Sequence, residues 1–287
     1  LSTEGHITKR KVLSAINGIY DVLGLVSPIS IVGKLIFSEV CLTTISWDSQ
    51  LPVNVCKKWD AWISGIRRLP YLRIPRCVVN LGTSDIVLHG FLDASKQAVC
   101  ATIYVVATYE EGPPSKHLLV SRSRIAPKDM TIPRLELVAA HTLAKLLKHT
   151  IGTVYGYSIK NTFAWTDSTT VLYWLRHHGS WSRYVRNRVA AIHEAINVEG
   201  NYVPTNENPS DLGTRGVTPE NLGTNWFNGP SWMANREQWP RQPDITATTE
   251  TNTEHIQSSQ HEQARVGVEE VPSLFVSLLD KHSYWKL

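Results

Sequence analysis

The chain has 287 residues, of which 42% are hydrophobic, so it is long enough for more than one packed domain. Its formal net charge is +4, but residues 241–270 contain two arginines and six acids, so the rest of the chain is more basic and favours a polyanionic partner such as nucleic acid. No stretch has the apolar length of a bilayer span, no secretory signal is recognisable, and the four cysteines are too scattered for a zinc or disulfide framework.

The first part of the chain, residues 1–80, is predicted to be helical. Apolar residues recur at helical spacing over residues 9–22, 30–43 and 53–69. The third stretch places Val55, Trp59 and Trp62 on one side, which is typical of a packing stripe. The chain starts with Leu, which suggests a piece of a longer product.

The sequence pattern of the middle part, residues 85–240, is typical of an α/β fold. We predict strands and helices in the order β-β-β-α-β-α-α-β-α: strands at 86–93, 99–107, 118–123, 162–166 and 202–203, and helices at 133–148, 168–176, 181–196 and 209–216. The first two strands are joined by a short turn at 94–98 and should form a hairpin. This order predicts a mixed five-stranded sheet flanked by helices.

The last part of the chain divides in two. Residues 241–270 are rich in Thr, Gln, Glu and Ser, with few large apolar groups, so we predict a disordered linker. Residues 271–287 are apolar again and predict the start of another unit.

Four acids stand where solvated surface charges are unusual. Asp93 and Asp167 each follow an apolar strand, where α/β folds place reactive groups. Glu136 lies at the border of the buried face of its helix, and Asp211 follows Asn208 at the start of a helical turn. The alternative for each is structural: Asp93 and Asp167 cap turns, Glu136 pairs with an arginine, and Asp211 is a helix N-cap.

Clustered carboxylates repel one another and take up protons unless cations compensate. Hard oxygen ligands suit magnesium or manganese, and two such ions can activate water and stabilise a leaving oxygen. Phosphodiester cleavage with four acids therefore requires neither a cysteine nor a histidine nucleophile.

The order of these acids along the predicted elements resembles that of the RNase H family. The sequence around these acids more closely resembles the Pol polyprotein of BEL/Pao-type LTR retrotransposons, in the region named Pao retrotransposon peptidase. The matching runs include RKVLSAINGIYDVLGLVSPISIVGKLIF, GFLDASKQAVCATIY, SRSRIAPKDMTIPRLELVAAHTLAKLL, WTDSTTVLYWL and VPTNENPSDLGTRG. The resemblance covers nearly the whole chain apart from 241–270.

The resemblance implies an RNase H-type endonuclease that uses two Mg²⁺ (magnesium) or Mn²⁺ ions to cut the RNA strand of an RNA–DNA hybrid during reverse transcription. Asp93, Glu136, Asp167 and Asp211 would be its catalytic metal ligands, with Asp93 touching both ions. Residues 1–80 would be a segment like the reverse-transcriptase thumb or connection, and 271–287 would lead into the integrase. The implied partners are the hybrid and the polymerase and integrase parts of the polyprotein, in a cytoplasmic virus-like particle, with no membrane and no small-molecule cofactor.

Three departures limit this resemblance. There is no YxDD-type polymerase motif, and no histidine lies between Tyr202 and Ser210, shortly before the fourth acid. The string starting at Asp167 has Thr169 where an aspartic protease needs glycine, so neither polymerisation nor proteolysis is expected of this chain.

Basic side chains near the acids predict contacts to a phosphate backbone. They lie before the helix of Glu136, at its start, or on one face of the later helix: Arg122, Arg124, Arg134, Arg183 and Arg186. Two other functions stay open. One is a catalytically silent nucleic-acid-binding module, and the other is a general DNA-processing nuclease such as a resolvase.

Overall fold

A computed structural model describes residues 6–75, 77–79, 83–154 and 157–255. At its centre is a five-stranded sheet with the strand order β3-β2-β1-β4-β5. The strands are β1 (Thr83–Ala94), β2 (Ala98–Tyr109), β3 (Ser115–Ile125), β4 (Ile159–Thr166) and β5 (Gly200–Tyr202). The first three are antiparallel neighbours, whereas β4 runs parallel to β1 and β5 parallel to β4. The predicted fold class, a mixed α/β sheet with flanking helices, is confirmed.

The predicted hairpin between β1 and β2 is present. The hydroxyl of Ser95 accepts hydrogen bonds from the backbone N–H groups of Gln97 and Ala98 and so closes the turn. Residues 98–107 of β2 are all buried, because β2 lies inside the sheet and helices cover both of its faces. This explains why its sequence is continuously apolar instead of alternating.

One face of the sheet, here called the aliphatic face, is covered by three helices: α4 (Ile132–Thr153), α5 (Thr169–Arg176) and α6 (Arg183–Ala195). Pro133 stands in the first turn of α4, where its missing N–H costs no hydrogen bond. Leu88 and Ile103 of the sheet pack in one cluster with Ala139 and Leu143 of α4.

The opposite face, here called the aromatic face, is covered by helices that precede and follow the sheet in the chain: α1 (Lys9–Asn17), α2 (Ser27–Cys41), α3 (Val53–Ile66), α7 (Ser210–Arg215) and α8 (Thr224–Asn228). Phe91, Tyr104 and Trp165 of the sheet share a hydrophobic cluster with Trp62 of α3 and Trp226 of α8. The Trp226 indole donates to the carbonyl of Leu25 at 2.8 Å.

The packing of residues 8–75 differs from the predicted division between 1–80 and 85–240. The helices themselves are present, although α1 ends at Asn17 instead of continuing to residue 22. Their apolar stripe, including Trp59 and Trp62, belongs to the cluster that covers the sheet. Since one core spans both parts, residues 8–75 do not form a separately packed unit. Their likeness to a thumb or connection stays a prediction.

The structure also differs from the predicted disordered linker over residues 241–255. Gln242 bonds to both the backbone N–H and the carbonyl of Tyr202, and a short helix, α9 (Thr249–Thr253), buries Thr251. These contacts are made by individual polar side chains, which a composition rich in Thr, Gln and Glu does not reveal. Residues 256–270 and the predicted unit at 271–287 lie outside the described residues.

None of the helices in the described ranges has the length and apolar character needed to cross a membrane.

Candidate active site

The parallel pairing of β1 and β4 determines where the site lies. Phe91 of β1 pairs with Trp165 of β4, so the residues two positions further on, Asp93 and Asp167, emerge side by side at the carboxyl ends of the two strands.

Two helices bring the other acids to this edge. Glu136 lies in the second turn of α4, on the aliphatic face, and Asp211 lies in the first turn of α7, on the aromatic face. Asp167 interacts electrostatically with Asp93, Glu136 and Asp211, and Glu136 also interacts with Asp93. The four acids chosen from the sequence therefore form one cluster.

Asp93 is the most enclosed of the four, with 8% of its surface exposed. Burial raises the pKa of its carboxyl to about 6, the repulsion of Asp167 and Asp211 adds to this, and a hydrogen bond from Thr214 opposes it. The Thr214 hydroxyl, fully buried on α7, donates to Asp93 Oδ2. A carboxylate in this position favours a proton or a cation.

Glu136 has a matching hydroxyl partner. Ser168, which caps the N-terminus of α5, donates from its Oγ to Glu136 Oε2 at 2.6 Å. Burial raises the pKa of Glu136 to about 7, the hydrogen bond from Ser168 lowers it, and repulsion from Asp167, Asp93 and Glu250 raises it further. Asp93 and Glu136 thus each accept a hydrogen bond from a hydroxyl that lies near another acid. Thr214 shares α7 with Asp211, and Ser168 directly follows Asp167.

The remaining two acids have nitrogen partners. Arg215 Nε lies 2.7 Å from Asp211 Oδ1; burial raises the pKa of Asp211 and this arginine opposes the shift. Asn208 Nδ2 lies 3.5 Å from Asp167 Oδ1 and 2.8 Å from the carbonyl of Leu92, while its Oδ1 accepts from the N–H at the start of α7. Asn208 therefore ties the end of β1 to the helix of Asp211.

Helix α7 is closely packed between the sheet and α2. A Cβ on Gly213 would lie 2.2 Å from Cys100 Sγ of β2. Gly216 ends the helix with φ +76, and the next N–H, of Val217, donates to the carbonyl of Pro28 in α2 at 3.0 Å. The position of Asp211 and Thr214 consequently depends on α2.

The donor set of this cluster fits a divalent metal, because it consists of carboxylate oxygens that repel one another. As placed, however, no three His, Cys, Asp or Glu side chains among the described residues could hold one ion together. Thr214, Ser168 and Arg215 each bind one oxygen of a carboxylate in the cluster.

The predicted nucleic-acid contacts fall into two groups. Arg122 and Arg124 lie on β3, the first half-buried and the second exposed. Arg183 and Arg186 are exposed in the first turn of α6. Arg134, at the start of α4, is already paired with Glu254. The sequence prediction missed this pairing.

Three residues of the site were missed by the sequence prediction, namely Thr214, Ser168 and Asn208. Ser168 follows Asp167 directly, so its cap was recognisable, and Thr214 lies one helical turn after Asp211. Their partners lie 32 residues away in the chain for Ser168 and 121 for Thr214. Only the fold reveals such pairs.

Comparison with known families gives one match over more than half of the chain. The model of the Pao retrotransposon-like RNaseH-like domain matches residues 8–168. This range includes α1–α3 together with Asp93, Glu136 and Asp167, and ends before Asp211. No curated protein sequence matches the chain.

Among solved structures, the chain is similar to RNase H1 from the halophilic archaeon Halobacterium salinarum, with 15% identity over 43% of this chain and 90% of that one, at a TM-score of 0.25. It is also similar to LC11-RNase H1 in complex with an RNA/DNA hybrid, with 15% identity over 48% of this chain and 100% of that one, at 0.29. A foamy viral protease-reverse transcriptase in complex with double-stranded DNA matches 76% of this chain and 38% of its own, with 11% identity and a TM-score of 0.30.

Proposed function

Since the chain belongs to the Pao retrotransposon-like RNaseH-like domain family, we propose that it is an RNase H-type endonuclease that hydrolyses the RNA strand of an RNA–DNA hybrid during reverse transcription. The observation that carries the proposal is the convergence of Asp93, Glu136, Asp167 and Asp211 from four elements at one edge of the sheet. A structural role for all four is disfavoured, because burying mutually repelling carboxylates costs free energy.

The four carboxylates would hold two Mg²⁺ or Mn²⁺ ions. Bound there, the ions would supply an activated water and stabilise the leaving oxygen of the phosphodiester. Asp93 and Glu136, whose pKa values lie at about 6 and about 7, are the groups that gain most from a cation, because it replaces the proton that burial otherwise favours.

The protein itself contributes orientation. Thr214 fixes one oxygen of Asp93 and Ser168 one oxygen of Glu136. Asn208 fixes the start of α7 relative to the end of β1. Carboxylates that are already oriented lose less conformational entropy when they bind metal and substrate.

The basic residues would hold the nucleic acid. Arg122 and Arg124 on β3, and Arg134, Arg183 and Arg186 on α4 and α6, can contact backbone phosphates of the hybrid, which fixes its position without reading its sequence. The polymerase and integrase parts of the same polyprotein are the partners that we propose for the rest of the chain.

The test is cleavage of a labelled RNA–DNA hybrid by the purified chain with and without Mg²⁺. We expect metal-dependent cutting of the RNA strand, and Asp93→Asn should slow it by at least about 1,000-fold, since it removes a charge that stabilises the metal-bound transition state by several kcal/mol. The matched control is Asp85→Asn at the opposite end of β1, where Asp85 lies 3.8 Å from Lys160 on the surface.

Alternative outcomes identify the competing functions. Hybrid binding without cutting, in the wild type and in Asp93→Asn alike, would show a silent binding module. Equal cutting of double-stranded DNA and of hybrid would show a general DNA-processing nuclease instead.

A further inference from the structure

The Glu254 carboxylate occupies a basic pocket between the start of α4 and the start of α6. Arg134 reaches both of its oxygens through Nε and Nη2, the second at 3.0 Å. Ser182 Oγ donates to Oε2 at 2.6 Å. The Glu254 side chain is only 8% exposed. Burial raises its pKa, but the hydrogen bonds from Arg134 and Ser182 outweigh this effect, so the pKa lies below its usual value.

The pocket is made by groups that α6 holds in place. Ser182 is the N-cap of α6, a helix of 13 residues whose first turn adds partial positive charge. The Arg134 guanidinium lies 4.9 Å from the centroid of the Tyr184 ring, and Arg188 lies 3.6 Å from the same centroid. A forked guanidinium, a hydroxyl and a helix start together suit a planar or tetrahedral oxyanion.

The segment that carries Glu254 runs beside the candidate active site. Thr170, close after Asp167, donates to Glu250 Oε2 at 3.2 Å, and Glu250 is among the groups that raise the pKa of Glu136. The carbonyl of Glu254 accepts from Ser182 N–H at 2.7 Å. Residues 249–254 therefore place two carboxylates next to a site that requires cations and a polyanionic substrate.

We infer that Arg134 and Ser182 form a binding site for one backbone phosphate of the nucleic acid, and that Glu254 occupies it in cis as a competitor. The inference rests on the proposed function for the identity of the polyanion. A carboxylate held through both oxygens by Arg134 takes the place of a phosphate held in the same way. The segment that carries Glu254 also carries Glu250, which acts electrostatically on Glu136, so a phosphate at this site belongs to a strand that passes the carboxylate cluster. Residues 249–254 must leave before that strand can bind.

The first experiment measures hybrid binding in the absence of divalent metal, by fluorescence anisotropy of a short labelled RNA–DNA hybrid. Glu254→Gln should tighten binding about tenfold, the factor that corresponds to 1.4 kcal/mol. It should also make the dependence of log Kd on log salt steeper by about one, because Arg134 becomes available for a phosphate.

The matched control is Glu220→Gln, which removes the same charge from another arginine pair, that of Glu220 with Arg68. We expect its affinity to equal that of the wild type. Adding Arg134→Gln to Glu254→Gln should abolish the gain. If Glu254→Gln binds no more tightly than Glu220→Gln, the inference is wrong and the pair is a structural link.

A second experiment needs no variant. If hybrid displaces the segment, amide hydrogen exchange of residues 249–254 in the wild type must become faster when hybrid is added; unchanged or slower exchange overturns the inference. Neither experiment requires cleavage. Tighter binding by Glu254→Gln without cutting in Mg²⁺ would refute the nuclease proposal and support the phosphate site. Cutting without tighter binding would support the nuclease proposal and refute the phosphate site.

Discussion

Each face of the sheet has a buried carboxylate that accepts a hydrogen bond from a hydroxyl, but the two hydroxyls come from helices that are packed differently. On the aromatic face, Asp93 is bonded by Thr214 of α7, and α7 is packed against α2 from the beginning of the chain. On the aliphatic face, Glu136 is bonded by Ser168 at the start of α5, within the elements that form the sheet and its helices. A buried carboxylate with a hydroxyl donor is common to both. The position of Thr214, the partner of Asp93, therefore depends on α2, a helix that precedes the sheet, whereas Ser168 belongs to the part of the chain that forms the sheet.

Among the variants that test this comparison, the largest effect is expected from displacing α7. In Gly213→Ala the new methyl group would lie 2.2 Å from Cys100 Sγ, whereas at Gly223 a Cβ has no heavy atom within 4 Å. Overpacking of this kind costs about 1–3 kcal/mol of stability. A shift of about 1 Å in the carboxylate of Asp211 should slow single-turnover hybrid cleavage about 100-fold. Gly223→Ala is the control, and equal rates for the two variants would show that α7 does not set the geometry.

The pH dependence of the metal-free protein compares the two carboxylates directly. Between about pH 4.5 and 7 the folded protein holds protons on Glu136 and Asp93 that the unfolded chain has released, since their folded pKa values are about 7 and about 6. The free energy of unfolding should therefore fall as pH rises through this window.

Glu136→Gln should remove about half of this slope and stabilise the metal-free protein at pH 8 by about 2 kcal/mol. Asp93→Asn should remove a comparable part of it, because burial raises the pKa of Asp93 by a similar amount. Denaturant unfolding at several pH values measures both, and a wild-type stability that rises between pH 5 and 7 would contradict the assignment.

Removing the hydroxyl of Thr214 or of Ser168 should have a smaller effect on cleavage. Thr214→Val and Ser168→Ala each remove a hydrogen bond to a carboxylate, which is worth about 1.5 kcal/mol, so each should slow cleavage about tenfold. Ser168→Ala also removes the N-cap of α5, so its stability is measured alongside its activity. The loss should be greatest at low Mg²⁺, since the hydroxyls orient carboxylates instead of touching substrate. Thr214→Ser should restore activity. If it does not, the methyl group matters through packing and the hydroxyl has no positioning role.

The smallest effects are expected from single arginine variants, which test whether the nucleic acid contacts the protein at β3, at α6 or at both. Arg124→Ala on β3 and Arg186→Ala on α6 should each weaken hybrid binding several-fold and reduce the salt dependence by about one. Arg10→Ala, at the exposed pair with Asp48, is the control. If neither variant differs from it, the predicted arginine set is wrong; if only one does, the hybrid contacts that side alone.

The sequence was informative where the signal is local. Alternating or continuous apolar runs predicted the strands, and Pro133 marked the start of α4. The strand ends at Asp93 and the position after β4 at Asp167 followed from the same pattern. Glu136 was selected because its helical neighbours are apolar, and the structure places it at the border of the buried face.

Non-local contacts could not be predicted. The apolar stripe of α3 indicated packing but not its partner, which proved to be the aromatic face of the sheet. Glu254 was assigned to a disordered linker because its neighbours are polar, yet Arg134, 120 residues earlier, and Ser182 hold it in place. Such pairs depend on which elements the fold makes neighbours.

The shared core under the aromatic face has a consequence for inheritance. Trp62 precedes the sheet in the chain, Trp226 follows it, and the two pack in one cluster. A recombination event between related elements with a breakpoint near residue 80 would combine helices and a sheet that had not diverged together. Mismatched side chains would then meet in the middle of the core. We expect viable exchanges to carry α1–α3 and the sheet as one block.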